Sequence, residues 1–174
     1  MNGEWSAVNS NQPIKRSMEF FRTFWRMNQS VRRIVQKTAA DNGLTVPQYA
    51  LLMAIAPRKE MTQKELGKVL QFPKSTLSQS VAGLVQAGLL VRHPVEDNRR
   101  EMQLILSEQG KVLYDSMMEQ EGSITHSFES AIQTLSDKQY DDLLEAILQI
   151  SIYLEKADEG EIQYDKNTEK PGSL

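Results

Sequence analysis

The stretch from Met61 to Gly110 constrains the fold more than any other part of the chain, because helix starts, helix stops and strand patterns follow one another there in a fixed order. Thr62 and Glu65 form a Thr-x-x-Glu capping box, which predicts a short helix running to about Leu70 on the apolar spacing Leu66, Val69, Leu70. Pro73 ends that helix and opens the next. In the second helix Leu77, Val81, Leu84 and Val85 recur at i, i+4, i+7 and i+8 and form one buried stripe. Ser75, Ser78, Gln79, Ala82 and Gln86 fall opposite them. That face is small, uncharged and rich in hydrogen-bonding groups, as a surface must be to approach base edges without repelling phosphate. An ordinary solvated helix is the plainer reading of the same pattern.

Gly88 caps this helix, and Leu89 to Val95 reads as a strand. A second strand follows, with Met102, Leu104 and Leu106 on its packed face and Glu101, Gln103 and Ile105 between them. The connecting tip is Glu96-Asp97-Asn98-Arg99-Arg100, where adjacent arginines beside Asp and Asn suit a minor-groove or phosphate probe. Helix, turn, helix and ribbon together make a winged helix-turn-helix.

At these residues the chain resembles the MarR family of bacterial transcription regulators. The resemblance runs from about Ile14 to Lys156 and rests on LTVPQYALLMAIA, TQKELGKVL, KSTLSQSVAGLVQAGLLVR and the wing ending LILSEQG. Two positions depart from the family pattern: Pro73 stands where Ser or Thr is usual, and Gln79 where Arg is frequent. The family's Asp-x-Arg wing pattern falls on Asn98 and Arg100 when counted back from Leu106-Ser107, and on Asp97 and Arg99 when the letters are read directly, so both arginines stay candidates. The candidate DNA-contacting set is Lys74, Ser75, Thr76, Ser78 and Gln79 on the second helix, with Asp97, Asn98, Arg99 and Arg100 in the wing. The resemblance also implies a cleft for a small, often aromatic or phenolic, effector. By helix position Phe21, Trp25, Tyr49, Met53 and Met117 are candidates to line it, although each is equally a core residue type.

The rest of the chain frames this unit. Residues 1–13 are polar and read as a disordered arm. From Ile14 to about Asp41 a helix carries a near-heptad stripe of Ile14, Met18, Phe21, Trp25, Asn28, Val31 and Val35, with Arg22, Arg26, Arg32 and Arg33 off it, and Asn42-Gly43 stops it. Thr45 and Gln48 make a second capping box, with Pro47 in the first turn of a helix carrying Tyr49, Leu52, Met53 and Ala56. From Ser107 a long helix is expected through Leu113, Met117, Ile124, Phe128 and Ile132, bent at Gly122. Ser136 and Gln139 box the start of a last, strongly apolar helix carrying Tyr140, Leu143, Leu144, Ile147, Leu148 and Leu154. Residues 158–174 read as a disordered acidic tail.

The expected architecture is therefore mostly α with a small β-wing. Residues 44–110 form the winged helix-turn-helix, and residues 14–43 and 111–157 form a helical dimerisation region. Apolar stripes at both ends of the chain need a common partner, and a homodimer supplies both that partner and the two-fold symmetry of a palindromic DNA site; packing onto the winged unit within one chain is the alternative.

Charge supports the same division. The 174 residues carry a formal charge of −3, but residues 1–111 hold 16 Lys and Arg against 9 Asp and Glu, a balance of +7, while residues 112–174 hold 4 against 14, a balance of −10. The local field around the winged unit is thus positive, which is what governs contact with DNA. The chain has no cysteine, which excludes disulfides, thiolate metal sites and the thiol-based peroxide sensing found in part of the MarR family. His93 and His126 read as surface residues rather than metal ligands, and neither metal nor cofactor is expected. A nucleotide-binding glycine loop, a nucleophile elbow and a His-Glu-x-x-His motif are missing, and Asp141-Asp142 lie at a helix start where they answer the helix dipole, so an enzyme is not expected. With neither a membrane-length apolar run nor a signal-peptide core, a cytoplasmic location is expected. The reading is a repressor that binds a palindromic operator in double-stranded DNA as a homodimer and is released by a small aromatic or phenolic ligand. The competing reading is a winged-helix protein-interaction module without sequence-specific DNA binding.

Overall fold

A computed structural model describes residues 12–95 and 98–158, with the backbone alone for residues 13, 95 and 98–101. The chain divides into two compact units, one ending at Phe128 and the other starting at Glu129. Helix α1 (Gln12–Asp41) begins ahead of the expected Ile14, so Gln12 and Pro13 belong to it; residues 1–11 of the expected arm lie outside the described residues. It stops where Gly43 takes φ +67°, a conformation that costs glycine nothing, and the Asn42 side chain donates to the Thr38 carbonyl at 2.8 Å.

Helix α2 (Val46–Ile55) is capped as its sequence requires: Gln48 N–H donates to Thr45 Oγ1 at 3.3 Å and Thr45 N–H returns a bond to Gln48 Oε1 at 2.8 Å. Its sequence is apolar almost all round, and a helix of that kind must be buried on several sides. Tyr49, Leu51, Leu52, Ala54 and Ile55 are all buried. A 3₁₀ turn (Ala56–Arg58) and Lys59, held at φ +65°, lead into β1 (Glu60–Thr62). This strand was not legible in the sequence, since three residues carry no periodicity. Helices α3 (Gln63–Leu70) and α4 (Lys74–Gln86) follow, then β2 (Leu90–Val95) and β3 (Asn98–Leu106).

The sheet is antiparallel with order β1-β3-β2. Pairing Met61 with Leu104 and Leu90 with Leu106 puts all four side chains on the packed face, where each is buried. Pro94 is accommodated because β2 is an edge strand. The register shifts between Pro94 and Val95, and Val95 pairs with Asn98. Asn98, Arg99 and Arg100 are consequently strand residues of β3 instead of the tip residues expected from sequence; Glu96 and Asp97 lie outside the described residues.

Against α2 pack Leu66 of α3, Leu77, Val81 and Leu84 of α4, and the buried sheet residues, with Ala39 of α1 and Met117 of the following helix α5 (Glu108–Glu119) completing the cluster. Each fully buried Leu or Met contributes about 1.5 to 3 kcal/mol relative to exposure, so this cluster fixes where α4 and the β2–β3 ribbon stand. Val69, expected on the packed side of α3, is half exposed instead, because on so short a helix Leu66 and Leu70 suffice to seat it.

The ribbon is locked to α5 (Glu108–Glu119) by Ser107, whose Oγ accepts from Gly110 N–H at 3.0 Å and donates to the Gly88 carbonyl at 2.6 Å. The expected long helix is not continuous. It breaks into α5 and α6 (Ile124–Ile132), with Gly122 at φ +77°. Ser123 is fully buried at the break: its Oγ donates to the Met118 carbonyl and accepts from His126 N–H, so it caps a new helix where a bend alone was expected. In the second unit α7 (Asp137–Asp158) starts at the Ser136–Gln139 box, in which Ser136 N–H donates to Gln139 Oε1 at 2.9 Å and Gln139 N–H donates to Ser136 Oγ at 3.4 Å. Asp158 is still helical, and residues 159–174 of the expected tail lie outside the described residues. Among the described residues no helix is long and apolar enough to cross a membrane.

Candidate nucleic-acid interface

Three residues link α3 to α4. Gln71 closes α3 in the left-handed conformation, φ 51°, donating its N–H to the Gly67 carbonyl at 3.0 Å, while Phe72 packs against the core and Pro73 sits at the N-cap of α4 with φ −51°. Pro73 has no side-chain oxygen to give, and α4 has no side-chain cap. Among the described residues the first-turn N–H groups of α4 thus have no side-chain acceptor, which leaves the positive end of the helix dipole without a cap. A phosphate oxygen is the kind of group that satisfies such a terminus.

Along α4 the exposed residues are those the sequence pattern selects. Lys74, Ser75, Gln79, Ala82 and Gln86 are exposed, Thr76 and Ser78 are half-buried, and Leu77, Val81 and Leu84 face the core. The helix contains no carboxylate. Around it Lys64 and Lys68 on α3, Lys74 itself and Arg92 on β2 are exposed, and none lies within salt-bridge distance of a carboxylate among the described residues. Glu65, the one acid on α3, is occupied: backbone and side-chain hydrogen bonds from Thr62 hold its carboxyl below the usual carboxylate range. Of the wing candidates, the backbones of Asn98, Arg99 and Arg100 lie on β3, and Asp97 lies outside the described residues.

Two residues that the sequence patterns do not reveal help to place this surface. Gln63, the first residue of α3, donates its Nε2 to Ser78 Oγ at 3.1 Å. Gly83 lets α4 approach α2 closely, since a Cβ there would lie 2.6 Å from the Gln48 side-chain nitrogen. Neither contact has a local signal, because each joins positions far apart in sequence.

Of the five effector-cleft candidates, Tyr49, Met53 and Met117 fall in or against the core cluster, whereas Phe21 and Trp25 stay exposed. Phe21 and Trp25 are about half exposed on α1, their rings stacked with centroids 6.2 Å apart; Met53 packs partly against the core; Tyr49 and Met117 are core residues, 3% and 0% exposed. The Tyr49 hydroxyl has no hydrogen-bond partner among the described residues, and burial, with a smaller contribution from Tyr114, pushes its pKa up. A cavity of about 380 Å³ is lined by other residues: Ala56, Lys59, Ile105, Leu106, Lys111, Tyr114 and Asp115. No group of three or more potential metal ligands occurs among the described residues. His93 is exposed on β2, and His126 accepts a long, 3.5 Å bond from Gly122 N–H.

A tri-helical core with a two-stranded wing and a second helix without carboxylates defines the class of winged helix-turn-helix proteins. Residues 42–101, which cover most of that unit, match the model of the MarR family. The chain is 28% identical over 81 residues to the organic hydroperoxide resistance transcriptional regulator of Bacillus subtilis, covering 47% of this chain and 55% of that protein. It is 29% identical over 97 residues to the HTH-type transcriptional regulator SarZ of Staphylococcus aureus, covering 56% and 66%. The chain thus spans between half and two thirds of the length of these relatives. In fold it is similar to a MarR variant from E. coli complexed with operator DNA, with a TM-score of 0.62 at 20% identity, covering 78% of this chain and 95% of that one.

Proposed function

We propose that this protein is a sequence-specific transcription repressor that binds a palindromic operator as a homodimer and is released by a small aromatic or phenolic ligand. The observation that carries the reading is the surface of α4: Ser75 and Gln79 exposed on a helix without carboxylates, behind an uncapped N-terminus, with Lys74 on the same helix and Lys64 and Lys68 on α3, none within salt-bridge distance of a carboxylate among the described residues. Gln79 suits bidentate contact with adenine, and Ser75 suits phosphate at the helix start. The similarity of fold to a MarR protein complexed with operator DNA supports the same placement of α4.

The dimer is supported by apolar faces within each unit. In the first, Ile14, Met18, Phe21 and Trp25 of α1 are 46–62% exposed; in the second, Leu143, Leu144, Ile147, Leu148 and Leu154 of α7 are 42–60% exposed. Faces of this kind are costly in water, and a second copy covers them with two-fold symmetry. For ligand release, the Phe21–Trp25 ring pair is the part of the expected lining that a small molecule can reach. Selection of bound fragments from a pool of random duplexes, followed by sequencing, tests the proposal. An inverted repeat with half-sites about one helical turn apart is expected. A pool that stays random would contradict DNA reading, and an enriched site without two-fold symmetry would contradict the homodimer.

A further inference from the structure

Ser78 lies on the α4 surface assigned above to DNA, yet its hydroxyl is already engaged from within the protein. Gln63 Nε2 donates to Ser78 Oγ at 3.1 Å, bridging the start of α3 and the middle of α4, and both side chains are half-buried. A serine hydroxyl has one hydrogen to give and two lone pairs to offer, so a free serine meets a donor or an acceptor equally well. Here Gln63 occupies a lone pair, while among the described residues nothing accepts the Ser78 hydrogen. Donation into the oxygen also polarises its O–H bond and strengthens it as a donor.

We propose that Gln63 is a positioning residue for recognition: it holds the Ser78 side chain in place and sets its hydroxyl as a hydrogen-bond donor toward an acceptor on the duplex. The inference rests on the DNA-binding reading above. In the major groove the acceptors are guanine O6 and N7, adenine N7 and thymine O4, whereas the donors are the amino groups of cytosine N4 and adenine N6. A phosphate oxygen is the alternative acceptor, and it carries no base information. Gln63 is well placed for this role because the Thr62–Glu65 box fixes the first turn of α3 independently of the Gln63 side chain.

The test is a double-mutant cycle on the full chain, with Gln63→Met, Ser78→Ala and the double variant each carried through duplex selection, affinity measurement and thermal melting. Gln63→Met keeps the length and helix propensity of the side chain and removes only its hydrogen bond. Each single substitution is expected to lower affinity or discrimination by roughly tenfold, with melting unchanged and the double variant no worse than Ser78→Ala. Loss confined to one base position identifies a base acceptor; uniform loss over all sequences identifies phosphate. Gln63→Glu, whose carboxylate takes the Ser78 hydrogen, is expected to shift the base preference toward cytosine or adenine, whose N4 and N6 amino groups donate, in the first case. Additive losses, or a Gln63→Met protein that selects and binds like wild type, would overturn the inference. Should Gln63→Met melt early, Ser78→Ala alone decides, because wild-type binding by that variant also overturns it. If wild type itself enriches no duplex, the DNA-binding reading has failed; if wild type selects and Gln63→Met selects identically, only the role of Gln63 has.

Discussion

Gly110→Ala is expected to cost about 3 kcal/mol of stability or more, lowering the melting temperature by roughly 10 °C. A Cβ at this position would lie 2.1 Å from the Leu89 carbonyl oxygen and 3.1 Å from its carbon, and both are backbone atoms with no rotamer to escape into. Relief requires α5 to move away from the start of β2. That movement would strain the bonds joining them: Ser107 N–H to the Leu89 carbonyl at 3.1 Å, and Ser107 Oγ to Gly88 and Gly110. Gly122→Ala is the matched control. Its Cβ meets nothing within 4 Å, so it bears only the φ +77° conformation, at about 1 to 2 kcal/mol. Thermal melting followed by circular dichroism checks both. Equal losses for the two variants would mean that the α5–β2 approach is looser than the structure has it.

The second large effect concerns the wing. Arg99 and Arg100 are consecutive residues of β3. If one arginine enters the minor groove, its neighbour is free to contact phosphate. Arg99→Ala and Arg100→Ala are each expected to weaken operator binding roughly tenfold, the worth of a charge-assisted hydrogen bond. The two should differ in kind. Loss of the phosphate contact reduces the slope of log affinity against log salt by about 0.9, since one fewer counterion is released. Loss of the groove arginine instead removes a preference for A·T-rich flanks, whose narrow minor groove concentrates negative potential. Titrations at several salt concentrations on A·T-rich and G·C-rich flanks separate the two roles. If both variants bind as wild type on every duplex, the wing makes no DNA contact.

What the sequence made legible was local. The boxes at Thr45–Gln48, Thr62–Glu65 and Ser136–Gln139 each have their reciprocal partner in the residue three positions on, and the α4 stripe of Leu77, Val81 and Leu84 follows helical spacing directly. The elements that escaped depend on partners elsewhere. Strand β1 exists because Met61 meets Leu104, and the strand identity of Asn98–Arg100 comes from a ladder that begins at Val95. The break after α5 turns on Ser123, whose buried hydroxyl caps α6, whereas Gly122 alone suggested a bend. On the candidate interface, exposure of Lys74, Ser75 and Gln79 was readable from periodicity, but the engagement of Ser78 by Gln63 was not. Helix position likewise could not tell a cleft residue from a core one, and it grouped Tyr49 and Met117 with the exposed Phe21 and Trp25.

The central claim is that α4 reads base sequence, and the ratio of affinities for a selected duplex and a scrambled duplex of equal length tests it most directly. Measured at one fixed, near-physiological salt concentration, the wild-type ratio is expected to reach about 10³ or more. Gln79→Ala is expected to lower that ratio by roughly tenfold while leaving binding to the scrambled duplex unchanged, because a base contact contributes only where its base is present. A wild-type ratio near one, with both duplexes bound through the same salt-dependent phosphate contacts, would contradict the account.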